Sequence, residues 1–137
     1  MSDITQKILR NVRVDLTEAY DRNFERKAFF SGAPWIPTKR PVSRGSLLLR
    51  TSKMRNSIKS EIQDESIIFN SPFPYTDIHN NGGIIKRTST KGKNYTVNMP
   101  KRQFIGHAPE VDKIISENIN DILPNEINSF INNQFNL

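Results

Sequence analysis

The stretch Lys59-Ser-Glu-Ile-Gln-Asp-Glu-Ser-Ile-Ile-Phe-Asn-Ser71 decides what kind of fold this chain can have. It holds two short alternating runs that meet around Gln63 to Ser66, which predicts a β-hairpin. On its N-terminal side, Ile4, Ile8, Val12, Leu16, Tyr20 and Phe24 recur every four residues with polar residues between them. That spacing predicts a long amphipathic helix over about residues 3 to 28. A four-residue step overshoots the helical turn by roughly 40° each time, so the stripe winds around the helix and its two ends face different surroundings.

On the C-terminal side, Val111, Ile114, Ile115, Ile119, Ile122 and Leu123 define a second amphipathic helix, with Pro109 placed to start its first turn. Pro124 is expected to interrupt it, and Ile127, Phe130, Ile131 and Phe135 then continue the pattern as a kinked or separate short helix in a C-terminal extension, 124–137. A short helix through Ile58 with Thr51 or Ser52 as its cap, and a second strand pair at Ile84–Arg87 and Tyr95–Met99, complete the pattern. The polar, basic loop between those strands, Thr88-Ser-Thr-Lys-Gly-Lys-Asn94, is expected to be mobile. Helix, then hairpins, then helix gives an α+β class: a long N-terminal helix, a small antiparallel sheet of about four strands with hairpins, a short central helix at Tyr75–Asn80 and a C-terminal helical segment.

The chain has 137 residues, 35% hydrophobic and 25% charged, which fits one compact domain over 1–137. A mean hydropathy of -0.60 leaves much polar surface outside, so oligomerisation is expected to add burial. Without cysteine there is no disulfide, no thiolate nucleophile and no zinc–thiolate site. The N-terminal residues carry charges throughout and read as neither a signal peptide nor a membrane span, which implies a protein made in, and kept in, a cytoplasm.

The net charge of +6 is unevenly spread. From Arg26 to Ser60 there are nine basic residues and no acid, and a second acid-free run from Ile78 to Pro109 carries Lys86, Arg87, Lys91, Lys93, Lys101 and Arg102. From Glu110 onward the balance reverses, with Glu110, Asp112, Glu117, Asp121 and Glu126 against Lys113 alone. A basic body with an acidic end suits either a phosphate-bearing partner or complementary contacts between copies.

Residues 29–46, with three prolines, two glycines and the only tryptophan, predict an extended basic arm whose aromatics dock on a surface. The segment Ser71–Gly83 sets Tyr75, Asp77 and His79 close together before a glycine pair, as a catalytic site would. Two residues apart, Asp77 and His79 share a side of a strand but not of a helix, and no serine sits in a Gly-x-Ser-x-Gly turn. The alternative is architecture: a short helical turn with Gly82 and Gly83 supplying the turn geometry. No phosphate-loop pattern occurs, and His79 and His107 lack neighbouring carboxylates at ligand spacing, so no cofactor and no metal are expected. The basic runs leave a small nucleic-acid-binding protein as the alternative function, with no recognisable reading helix.

Four pieces taken in order are more specific than any alone: Phe29–Pro37, Leu47–Ile58, Ser71–Gly83 and Met99–Ile115. The positions that carry the pattern are Trp35 and Pro37; Leu49, Thr51, Met54, Ser57 and Ile58; Pro74, Tyr75, His79, Gly82 and Gly83; then Pro100, Arg102, Phe104 and Gly106. This succession resembles the phage virion morphogenesis family, the Mu-like tail-completion and head–tail joining proteins of tailed phages, over roughly residues 24 to 123. Ser52, Met54 and Thr76 depart from the glycine, leucine and alanine usual at those places.

The resemblance implies a non-enzymatic virion protein at the neck or head-proximal end of the tail. Its partners would be other copies of itself in a six- or twelve-fold ring, and neighbouring neck and tail proteins, with non-specific DNA contact and no membrane. Tyr75 and His79 would anchor the short helix. The interface would use Phe29, Phe30, Trp35, Pro37, Arg40, Arg44, Lys86, Arg87, Lys91, Lys93, Phe130 and Phe135. On this expectation Trp35→Ala leaves the subunit folded, whereas Tyr75→Ala breaks the fold.

Overall fold

The computed structural model describes residues 3–37 and 52–135, with the backbone alone at 52, 134 and 135. The expected cap Thr51, the side chain of Ser52, the arm residues Arg40 and Arg44, and the Phe135 side chain therefore lie outside the described residues. The elements in order are α1 (Asp3–Arg26), α2 (Ser52–Ser57), β1 (Lys59–Gln63), β2 (Ser66–Asn70), α3 (Tyr75–Asn81), β3 (Gly83–Thr88), β4 (Asn94–Met99) and α4 (Pro109–Phe135).

The α+β class holds, with a long N-terminal helix, two hairpins and a C-terminal helix in the expected order. The strands close as two separate two-stranded sheets rather than one, because α3 and its glycine turn come between the hairpins. In the first, Asp64 takes a left-handed φ of 53° in the tight turn between β1 and β2. In the second, β3 and β4 pair antiparallel, from Gly83 opposite Met99 out to Thr88 opposite Asn94.

α4 runs through Pro124 without a break, which corrects the expected interruption. A proline forfeits one hydrogen bond and crowds the preceding turn, but the Asn125 side chain donates to the Asp121 carbonyl at 3.0 Å, adding a donor beside the fault. The turn of Ser89–Lys93 is also tied down. The Ser89 amide donates to the Lys93 carbonyl at 2.8 Å and the Lys93 amide to Ser89 Oγ at 3.0 Å.

The chain divides into two compact units. The first combines α1 as far as Ala19, the β1–β2 hairpin as far as Phe69, and the chain from His107 onward. Val12, Leu16, Ala108, Val111 and Ile122 are its buried apolar side chains. Lys7 pairs with Glu126 at 2.6 Å and Asn118 donates to Asp15 at 2.9 Å. The step from Lys7 to Asp15 along α1 matches the step from Glu126 back to Asn118, so the two helices run antiparallel. Thr17 and Ser60 share a hydrogen bond of 2.9 Å, which ties β1 to α1.

The second unit takes Tyr20–Ile58 and Asn70–Gly106. Its core is Phe24, Trp35, Met54 and Phe104, with Ile58 and Ile105 packed against it. Phe24 lies 4.7 Å from Phe104 and meets Trp35 edge-on at 5.8 Å, geometries that add attraction beyond burial itself. Met54, where the resembled pattern has leucine, fills this core as a near-isosteric replacement.

Candidate functional site

The motif residues converge in the second unit, where the segment Pro100–Gly106 is held by side chains from three distant places. The Asn80 amide does most of this: its Oδ1 accepts from the Phe104 and Ile105 amides at 2.9 and 3.0 Å, and its Nδ2 donates to the Ile105 carbonyl at 3.1 Å. A primary amide presents the same donor and acceptor as a neighbouring strand, so Asn80 pairs this segment where no strand does. The fully buried Asn23 acts alike. It donates to the Phe104 carbonyl at 3.0 Å and accepts from the Phe30 amide at 2.9 Å. Trp35 Nε1 donates to the Gln103 carbonyl at 3.0 Å, and the Tyr20 hydroxyl to the Gly106 carbonyl at 2.7 Å. Burial pushes the Tyr20 phenol up from its ordinary range, against the lowering effect of that bond.

α3 is tied both to the clamped segment and to the ring that precedes it. The His79 carbonyl accepts from the Arg102 amide at 2.9 Å, so the helix and the Pro100–Gly106 segment are joined directly. Pro74 precedes the helix without a side-chain cap, and Tyr75 stacks on Phe73 at 5.2 Å and meets His79 edge-on at 6.3 Å. Lys53 lies 5.1 Å over the Phe73 ring. Tyr75 is 41% exposed, so its truncation removes a surface stack rather than a core side chain.

At the end of α3, Gly82 has a φ of 73°, and a Cβ there would lie 3.0 Å from the Lys101 backbone nitrogen. Glycine is required on both counts. Gly83 follows as the first residue of β3, and Pro100, with no N–H to offer, stands directly after β4. Thr76, where the resembled pattern has alanine, is buried, and its hydroxyl extends a chain through Ser71 and Ser57 to the Met54 carbonyl, with links of 2.9, 2.8 and 2.6 Å.

No hydrolytic pair forms here. His79 Nδ1 is buried without a hydrogen-bond partner among the described residues, and Asp77 is exposed. Burial first, and the Arg102 charge second, hold the His79 imidazole below its ordinary pKa. Arg102 is itself buried and donates to the Ile36 carbonyl at 2.9 Å, with no carboxylate paired to it among the described residues. Desolvation lowers its pKa. Among the described residues no cluster of histidine and carboxylates is arranged to hold a metal.

The residues expected at an interface fall into two groups. Phe30 and Trp35 are buried within the subunit, which overturns their assignment as aromatic anchors for a neighbour. The reason is local: Lys27 and Phe30 take left-handed φ values of 56° and 53°, the Trp35 amide donates back to the Lys27 carbonyl at 2.7 Å, and Ala28 bridges Pro34. The start of the expected arm is thus a closed loop that turns its rings inward, with Phe29 against Phe30 at 4.9 Å and only half-buried. Pro37, Lys86, Arg87, Lys91 and Lys93 are exposed, and Phe130 is 60% exposed.

A scan against family models matches residues 2–124 to the phage virion morphogenesis family. The chain belongs to that family. No curated protein and no solved structure matches it. The phage virion morphogenesis family gives the chain a structural part in building a phage particle, and the match covers both the clamped segment and the basic β3–β4 hairpin. No helix among the described residues is long and apolar enough to cross a membrane.

Asn23 and Asn80 were missed from the sequence. A signal for Asn23 existed: it lies three residues after Tyr20 and beside Phe24, on the flank of the stripe that turns inward at the end of α1.

Proposed function

We propose that this protein completes the tail or joins tail to head at the neck of a tailed phage, as copies arranged in a ring with neighbouring neck and tail proteins on either side. The observation that carries the reading is the family match over residues 2–124. A physical feature supports assembly with copies. Ile115, Ile119, Leu123, Ile127 and Phe130 form a row along α4 whose exposure rises from 36% at Ile115 to 60% at Phe130. Spaced by three or four residues, they share one side of the helix, and a contiguous apolar strip on a small domain marks an interaction surface. Six- or twelve-fold closure would bury that strip against a different surface of the next copy, as heterologous ring contacts do.

The test is deletion of the gene from the phage, with complementation from a plasmid. Loss should yield filled heads and separate tails, and mass spectrometry of purified wild-type virions should find the chain at low copy number. Normal joined particles in the deletion, or a chain absent from purified virions, would overturn the placement.

A further inference from the structure

The β3–β4 hairpin is charged for a partner that its own chain does not provide. Lys86, Arg87, Lys91 and Lys93 are exposed, and none pairs with a carboxylate among the described residues. The residues across from them are hydrogen-bonding rather than acidic: Thr96 opposite Lys86, and Tyr95, 45% exposed, opposite Arg87. Lys86, Arg87, Thr88, Asn94, Tyr95 and Thr96 line a shallow concavity of about 370 Å³ on the hairpin itself. Among the described residues both strands pair only with each other, which leaves the ribbon's outer edges without a strand partner there.

The acidic end of a second copy is the weaker match, because three of its five carboxylates already face a basic side chain or a histidine within the chain. Glu126 pairs with Lys7 at 2.6 Å, Asp112 with His107 at 3.0 Å and Glu117 with Lys113 at 3.9 Å. Glu110 also has an interaction within the chain, and Asp121 is in no ion pair among the described residues. Four unneutralised cations within eight residues, with no acid among them, instead match a dense and regular line of negative charge.

We propose that the β3–β4 hairpin is a DNA-contacting ribbon that grips the sugar–phosphate backbone of duplex DNA without reading its sequence. A strand of six residues extends about 20 Å, and a two-stranded ribbon fits the major groove of a duplex. Lysine and arginine side chains of β3 and the tied turn then reach phosphates, with the Asn94 amide and the Thr96 hydroxyl on β4 as additional donors. Such binding belongs to the isolated chain and stands apart from its place in a particle.

The measurement is fluorescence anisotropy of a labelled duplex of about 30 base pairs, titrated with the full chain between about 50 and 200 mM salt. Four phosphate contacts contribute a slope of about -3.6 in log affinity against log salt, a loss of roughly 150-fold across that range. In Lys86→Gln/Arg87→Gln/Lys91→Gln/Lys93→Gln the slope should become shallower by about that amount. Lys91→Gln/Lys93→Gln, confined to the turn, should remove about half of it, and so keeps the test open should the fourfold variant fail to fold. Lys39→Gln/Arg40→Gln/Arg44→Gln should keep the wild-type hairpin contribution. Absence of wild-type binding at low salt, or an unchanged slope in the hairpin variants, would overturn the proposal. So would hairpin variants that lose self-association in sedimentation while DNA binding persists, which would assign the cations to a second copy.

Discussion

The loop that follows α1 and the β3–β4 hairpin are both chain reversals flanked by basic residues, yet one is consumed by the interior and the other is left outside. In the loop, Phe30 and Trp35 turn inward and Trp35 becomes a wall of the second unit's core at 7% exposure. In the hairpin, the outer residues from Lys86 to Thr88 and from Asn94 to Thr96 are exposed on both faces. Large aromatic rings among prolines and glycines look like docking anchors, and here they are structural. What the hairpin leaves on the surface is charge, where the loop has turned its rings inward.

The largest effect that could break this contrast is at Trp35. Trp35→Ala removes a buried ring packed on Phe24 and a donor to the Gln103 carbonyl, and should cost about 3–5 kcal/mol. Tyr75→Ala, at an exposed stack, should cost about 1 kcal/mol. Urea melts of the two variants side by side decide it, and equal losses would mean that the loop packs no more tightly than the surface of α3.

A smaller but still large loss is expected at Asn23→Ala, about 2–4 kcal/mol, because the Phe104 carbonyl and the Phe30 amide both lose a buried partner. A cost below about 1 kcal/mol would show that water replaces the amide and that the loop is looser than its burial implies.

The smallest effect is visible only through pH. His79 is held neutral, so the stability it carries is present in full above its unfolded pKa of 6.5 and is lost as pH falls from there through the depressed folded value. Wild-type melting temperature should therefore drop between about pH 7.5 and 5.5 by more than that of His79→Gln. Parallel pH profiles for the two proteins would remove His79 as the source.

Most of the fold was legible because it rests on periodicity. Four-residue spacing marked α1, the Val111–Leu123 spacing marked α4, and alternation marked the first hairpin. The loop after α1 was not legible, since left-handed conformations at Lys27 and Phe30 have no signature in those residue types. Pro124 misled because a proline inside a helix costs one hydrogen bond and some crowding, and the helical pattern on both sides of it carries the helix through. At the motif, the glycine turn could be read from Gly82 and Gly83. The two asparagine clamps could not, because an asparagine on a helix resembles any other polar residue until the segment it grips arrives from far along the chain.

That last feature bears on when the molecule becomes ordered. The segment Gln103–Ile105 takes its hydrogen bonds from Asn23, Trp35 and Asn80, at sequence separations of 81, 68 and 25 residues. Such non-local contacts form only after the intervening chain has been closed into loops, so this short stretch cannot settle before its three distant partners do. The amides of Phe104 and Ile105, bonded to a side chain rather than to a strand, should consequently exchange their hydrogens with solvent only when the second unit opens as a whole. This short segment would then be the slowest-exchanging irregular stretch among the described residues, a lock that closes last and releases only with everything it joins.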